Sequence, residues 1–156
     1  MLLLEEFSVL KHMETLQTAS GQLAGSGVKL WAVVQNLGKL KRHYKEGWAT
    51  FIANAGVLTA FANTDLETLQ YLRGKLGNVP MLLNRSSGAS SSALLSGARP
   101  VQDDLREAAL LEMDELGRAF DRGKRRALAL AAGQPPLIVQ RMVYYEDAMF
   151  KGMFDA

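Results

Sequence analysis

Between Leu2 and Gly77 the sequence alternates three times between a short apolar run and a segment of helical period. No other feature restricts the fold as much. The apolar runs are Leu2–Leu4, then Val28–Val34 with Val28, Trp31, Val33 and Val34, then Val57–Ala62. All three read as strands, the last two rich in β-branched or aromatic residues that favour a pleated surface. After the first, Ser8 is placed to cap a helix whose Val9, Leu10, Met13, Leu16, Ser20 and Leu23 share a face, and Gly25 and Gly27 end it. After the second, a basic helix runs from Leu37 to about Tyr44, followed by a short apolar turn of helix at Trp48–Ile52 and the turn Asn54-Ala55-Gly56. After the third, Thr64 stands three residues before Glu67, a capping-box arrangement, and Leu66, Leu69, Leu72 and Leu76 line one helix face that Gly77 closes. Strand–helix alternation of this kind predicts an α/β fold with a mostly parallel sheet and flanking helices.

The composition changes beyond this point. Residues 84–100 are rich in Ser, Gly and Ala and read as a surface loop, dividing residues 1–83 from 101–156. The second part is expected to open with a polar helix from about Gln102 to Phe120 and a basic patch, Arg122, Lys124, Arg125 and Arg126. A strand at Ala127–Ala132, a turn at Gly133-Gln134-Pro135-Pro136 and a last strand at Leu137–Tyr144 follow, and the amphipathic end packs back on the domain.

Several chemistries are excluded at once. The chain of 156 residues has no cysteine, so disulfides and thiolate metal sites are out, and its two histidines, His12 and His43, are far apart in sequence. No apolar stretch approaches the ~20 residues that span a bilayer, and the opening Met1–Leu4 is too short and lacks the basic lead of a signal peptide. The chain therefore reads as soluble and cytoplasmic. A net charge of +2 makes no case for nucleic acid unless the cations cluster.

Three constellations carry chemistry. Leu2-Leu3-Leu4-Glu5-Glu6 is an apolar strand delivering two acids to the end of a sheet. In P-loop ATPases such a pair holds Mg²⁺, usually through water, and polarises the attacking water. The plainer reading is a strand end with solvated acids. Gln35 ends the second strand, where a polar side chain can sense a γ-phosphate or simply begin a turn. Lys39, Lys41, Arg42 and Lys45, interleaved with Tyr44 and Trp48, fit a phosphate backbone with aromatic stacking, or else form a solvated helix face. The patch at Arg122–Arg126 is weighed lower, since cations near a helix end also complement its dipole. Tyr144-Tyr145 reads as packing and His12 as a surface residue. The motif G-x-x-x-x-G-K-[ST], which cradles phosphates, does not occur in these residues.

The segments LLLEEF (Leu2–Phe7), GQLAGSGVKLWAVVQNLGKLKRHYKEGWATFIANAGVLTAFANTDLETLQYLRGKLG (Gly21–Gly77) and PPLIVQRMVYYEDAMFKGMFD (Pro135–Asp155) resemble, in order and spacing, the TraG/TraD-type coupling proteins of conjugative type IV secretion systems. The resemblance implies a RecA-like motor domain, with its P-loop half outside these residues. It implies ATP and Mg²⁺ as cofactors, assembly as a hexamer at the cytoplasmic face of the inner membrane, and transport of DNA or protein toward a secretion channel. By position Glu5 and Glu6 fall on the family's acidic pair, Glu5 as the Mg²⁺ partner, and Gln35 on its polar motif. Asn63–Gly77 opens the region described as recognising relaxosome partners. The family's usual Asp-Glu is here Glu5-Glu6, which moves the first carboxylate outward by one methylene.

Two functional readings follow. One is the C-terminal part of a DNA-transfer coupling ATPase, inactive by itself or completed by a separate polypeptide carrying the P-loop. The other is a stand-alone module that binds DNA or a relaxosome protein without hydrolysing ATP.

Overall fold

The fold is described from a computed structural model, and the described residues are 1–7, 16, 27–86 and 101–153. The helix expected from Ser8 to Gly25 lies outside them apart from Leu16, as do residues 87–100 of the expected loop.

Strand β1 (Leu2–Leu4) pairs in parallel with β2 (Leu30–Ala32), Leu3 opposite Trp31. Helix α1 (Leu37–Tyr44) follows, burying Leu37, Leu40 and Tyr44 at spacings of three and four. Asn36 caps it by accepting the Lys39 amide at 2.8 Å. A 3₁₀ turn (Lys45–Gly47) leads into α2 (Trp48–Ala53). Phe7, Leu37, Leu40 and Tyr44 form a first apolar cluster, joined by Leu4, Leu16, Val34, Trp48, Phe51, Ile52 and Tyr71.

Strand β3 (Val57–Ala60) and helix α3 (Leu66–Leu76) come next, and Gly77 (φ 73°) ends the helix in the left-handed region that glycine tolerates. The cap of α3 is Asp65, not Thr64. Its carboxylate accepts both the amide and the hydroxyl of Thr68, which the shorter hydroxyl of Thr64 would not do from one residue earlier.

Strand β4 (Asn78–Ser86) pairs over its whole length with antiparallel β5 (Val101–Ala109), Leu82 opposite Leu105. The polar helix expected over Gln102–Phe120 is thus corrected. Only α4 (Met113–Ala119) is helical there, and the preceding half is a strand whose partner lies far back in sequence. Leu105, Arg106 and Glu107 are exposed in succession, so no buried face imposes an apolar alternation there.

After a 3₁₀ turn (Arg122–Lys124) come β6 (Arg126–Ala131) and β7 (Leu137–Gln140). The last strand therefore stops four residues short of Tyr144. Strand order is β3-β6-β7, antiparallel throughout, and the short turn with Gly133 at φ 71° makes β6 and β7 a hairpin. The α/β class holds, but among the described strands parallel pairing is confined to β1 and β2. A second cluster, Leu72, Leu116, Phe120 and Leu128, packs α3 and α4 on this sheet, and Tyr71 touches both clusters. Among the described residues no helix is long and apolar enough to cross a membrane.

Candidate functional site

Glu5 and Glu6 occupy the turn leaving β1, and both are exposed. Two backbone bonds to one residue of the neighbouring strand pin this turn: the Val33 amide donates to the Leu4 carbonyl at 2.9 Å, and the Phe7 amide donates to the Val33 carbonyl at 2.9 Å. The acids therefore project from between two anchors. Phe7, 1% exposed, holds the far side by stacking on Tyr44 at 5.3 Å and meeting Phe51 edge-on at 5.1 Å. Glu6 itself sits at φ 49°, a conformation that costs an L-residue roughly 1–2 kcal/mol.

Gln35 follows Val33 by two residues and is also exposed, so the acids and the amide share the carboxyl end of the parallel strand pair. Ligands of open α/β sheets bind at that end. The Gln35 Oε1 accepts a hydrogen bond from Lys39 Nζ one helical turn on. Among the described residues no group of three carboxylates or histidines is placed to hold a metal alone. Two exposed carboxylates instead fit a Mg²⁺ ion that keeps its waters and arrives with phosphates.

The four expected nucleic-acid cations divide in the structure. Lys39 is engaged with Gln35. Lys41 pairs with Glu67 at 3.2 Å and lies over the Trp48 ring at 4.8 Å. Arg42 and Lys45 are exposed and meet no carboxylate among the described residues.

The start of α1 is fixed by a residue that the sequence reading passed over. Thr68, 5% exposed, accepts the Leu37 amide at 3.0 Å while donating to Asp65 at 2.7 Å. One hydroxyl thus serves the N-termini of two helices. The signal was the Asp65-x-x-Thr68 spacing, but nothing local names Leu37 as the third member. The Gly38 position tightens the same junction, since a Cβ there would meet Glu67 Oε2 at 2.5 Å.

On the opposite sheet, Arg125 makes a two-pronged ion pair with Glu146, at 2.5 and 3.0 Å. That hydrogen bond, and then the Glu146 charge, raises the Arg125 pKa above its ordinary value. Arg73 is raised in the same way by Glu112, which it grips at 2.9 and 3.2 Å to join α3 to the start of α4.

Comparison with known proteins supplies the context. The conjugative coupling protein TrwBdeltaN70 in its unbound form has the same fold, with a TM-score of 0.66 at 17% identity over 90% of this chain and 31% of that one. Its sulphate complex matches with a TM-score of 0.64 at 18% identity. Protein VirD4 of Rhizobium rhizogenes is 29% identical over 98% of this chain, and the conjugal transfer protein TraG of Escherichia coli is 24% identical over 97%. The chain spans 22% of the length of the first and 26% of the second. The family described as type IV secretory system conjugative DNA transfer matches residues 1–154, and the chain belongs to that family.

Proposed function

We propose that this chain supplies the acid-bearing edge of the nucleotide site in a conjugative DNA-transfer coupling ATPase. The observation that supports it is the turn at Glu5–Glu6 pinned on both sides to Val33, two residues before Gln35, at the carboxyl end of the parallel pair. Glu5 would hold Mg²⁺ through water. Glu6 would orient and polarise the water that attacks, and Gln35, steadied by Lys39, would report the γ-phosphate. Mg²⁺ held there would supply charge neutralisation for the phosphates.

The phosphates themselves need a cradle of backbone amides and a lysine, and no such motif occurs in these 156 residues. The chain alone is accordingly inactive, and the activity belongs to a longer or two-part assembly in a ring at the cytoplasmic face of the inner membrane. Its substrate there would be DNA, met by Lys39, Lys41 and Arg42 of α1 and by Lys45 at the start of the 3₁₀ turn. Relaxosome or secretion-channel proteins meet the segment from Asn63 to Gly77.

The test is magnesium-dependent ATP hydrolysis by the purified chain and by a protein of the relatives' full length containing it, each with and without Glu6→Gln. The expected result is no turnover from the chain alone, and turnover in the longer protein that Glu6→Gln lowers about 10²–10⁴-fold while nucleotide still binds. Turnover by the chain alone would overturn the reading of its inactivity. A longer protein indifferent to Glu6→Gln would overturn the role of the acids.

A further inference from the structure

We propose that Lys39 is a positioning residue that sets which end of the Gln35 amide faces the nucleotide, so that the site tells a triphosphate from a diphosphate. The inference rests on the reading above that Gln35 reports the γ-phosphate.

The two ends of a glutamine amide are opposite in hydrogen bonding: the oxygen accepts and the nitrogen donates. They are nearly alike in size, so shape alone does not keep one of them forward. Lys39 breaks the tie chemically. An ammonium has protons to give and no lone pair to offer, so its bond to Gln35 engages Oε1 alone. Nε2 is then the end left outward, and among the described residues nothing bonds it. A phosphate oxygen needs a donor. The turned amide would set its carbonyl dipole against the phosphate charge instead.

Gln35 and Lys39 are both exposed, where a lone hydrogen bond is weak, so the backbone between them must hold the geometry. They stand four residues apart, about one helical turn. Asn36 accepts the Lys39 amide at 2.8 Å, and the buried Thr68 accepts the Leu37 amide at 3.0 Å. Leu37 and Leu40, on either side of Lys39, are anchored in the first apolar cluster. The first turn of α1 is thereby fixed, and the Lys39 stem reaches back to Gln35 from a settled base. The strand side is fixed as well, because Val33 makes two backbone bonds with the turn that carries Glu5 and Glu6.

Lys41 does not share this role, since it is turned to Glu67 at 3.2 Å. An ammonium carries three protons, so one given to Gln35 leaves two for the phosphate backbone proposed to meet α1.

The measurement is a ratio of affinities in a protein of the relatives' full length containing this chain. A fluorescent imido analogue of ATP, which is not hydrolysed, is compared with fluorescent ADP, both with Mg²⁺. Gln35→Ala should lower the preference for the triphosphate about tenfold, the worth of one hydrogen bond to a charged group. Lys39→Arg, also a donor only, should keep the preference. Lys39→Met frees the amide to turn, about halves the competent fraction and should lower the preference about twofold. Lys39→Glu would accept from Nε2 and turn Oε1 outward, so its loss should approach that of Gln35→Ala. In a Gln35→Ala background neither Lys39→Met nor Lys39→Glu should lower the preference further. NMR of the purified chain reads the same geometry without nucleotide: the Gln35 side-chain amide resonances should shift with Lys39→Met and stay with Lys39→Arg.

A loss from Lys39→Glu that is equal with and without Gln35 would overturn the inference and leave Lys39 as a charge only. Gln35 resonances indifferent to Lys39→Met would overturn it as well. A preference indifferent to Gln35→Ala would overturn the γ-phosphate role of Gln35, and this inference with it, while the Glu6→Gln experiment still stands.

Discussion

The amide of Leu37 donates to the hydroxyl of Thr68 across 31 positions of sequence, and the same hydroxyl donates to Asp65. This contact joins the segment just after Gln35 to the helix that begins at Leu66. Thr68→Val keeps the shape but leaves a buried amide without an acceptor. It should cost about 2 kcal/mol in urea unfolding, and Thr68→Ser less than about half of that. Equal losses from both variants would show that the methyl group, not the hydroxyl, matters.

Phe7 is the anchor behind the acidic turn. Phe7→Ala removes a ring that stacks on Tyr44 and meets Phe51, and should cost roughly 3–5 kcal/mol. The loss should appear in hydrogen exchange first at the Phe7 and Val33 amides, which hold the turn. A loss below about 1 kcal/mol would mean that the first cluster closes over the gap, contrary to its close packing.

Glu6 tests whether the acidic turn carries strain kept for chemistry. Glycine at φ 49° escapes the penalty of roughly 1–2 kcal/mol but adds unfolded-state entropy of about 0.5–1 kcal/mol. Glu6→Gly should therefore raise stability by about 0.5 kcal/mol in thermal unfolding, while Glu6→Val should lower it. A destabilised glycine variant would argue that the glutamate side chain contributes to the fold.

The grip of Arg125 on Glu146 should respond to salt and not to alkali in the working range. Its raised pKa means that the arginine's contribution is complete below the unfolded value, and is lost only as pH climbs through the still higher folded one. Glu146→Gln should loosen residues 141–147, seen as faster amide exchange at Arg141. Added salt should shrink the difference from the unsubstituted chain, because the pair is half exposed.

Local pattern was a good guide where a segment's own side chains decide its structure. Leu37, Leu40 and Tyr44 mark the buried face of α1 at helical spacing, and the boundaries match. Glu5 and Glu6 could be assigned to a strand's carboxyl end because Leu2–Leu4 stops there. Where a distant partner decides, the sequence is silent. β5 reads as a polar helix because its residues answer to β4 through backbone pairing, and its Leu105, Arg106 and Glu107 are exposed in succession. The split among the α1 cations was equally hidden, since Glu67, which takes Lys41, lies 26 positions away.

Tyr71 gives the architecture a common keystone. One face of its neighbourhood belongs to the cluster under the acidic turn, where Trp48 meets it edge-on at 6.1 Å, and the other belongs to the cluster beneath the antiparallel sheet. Neither cluster can loosen without removing a wall from its neighbour. Among the described residues the parallel pair and the antiparallel sheet share no backbone ladder, and Tyr71 joins their cores beside the Thr68–Leu37 bond. A tug on either is felt by the other as lost rigidity.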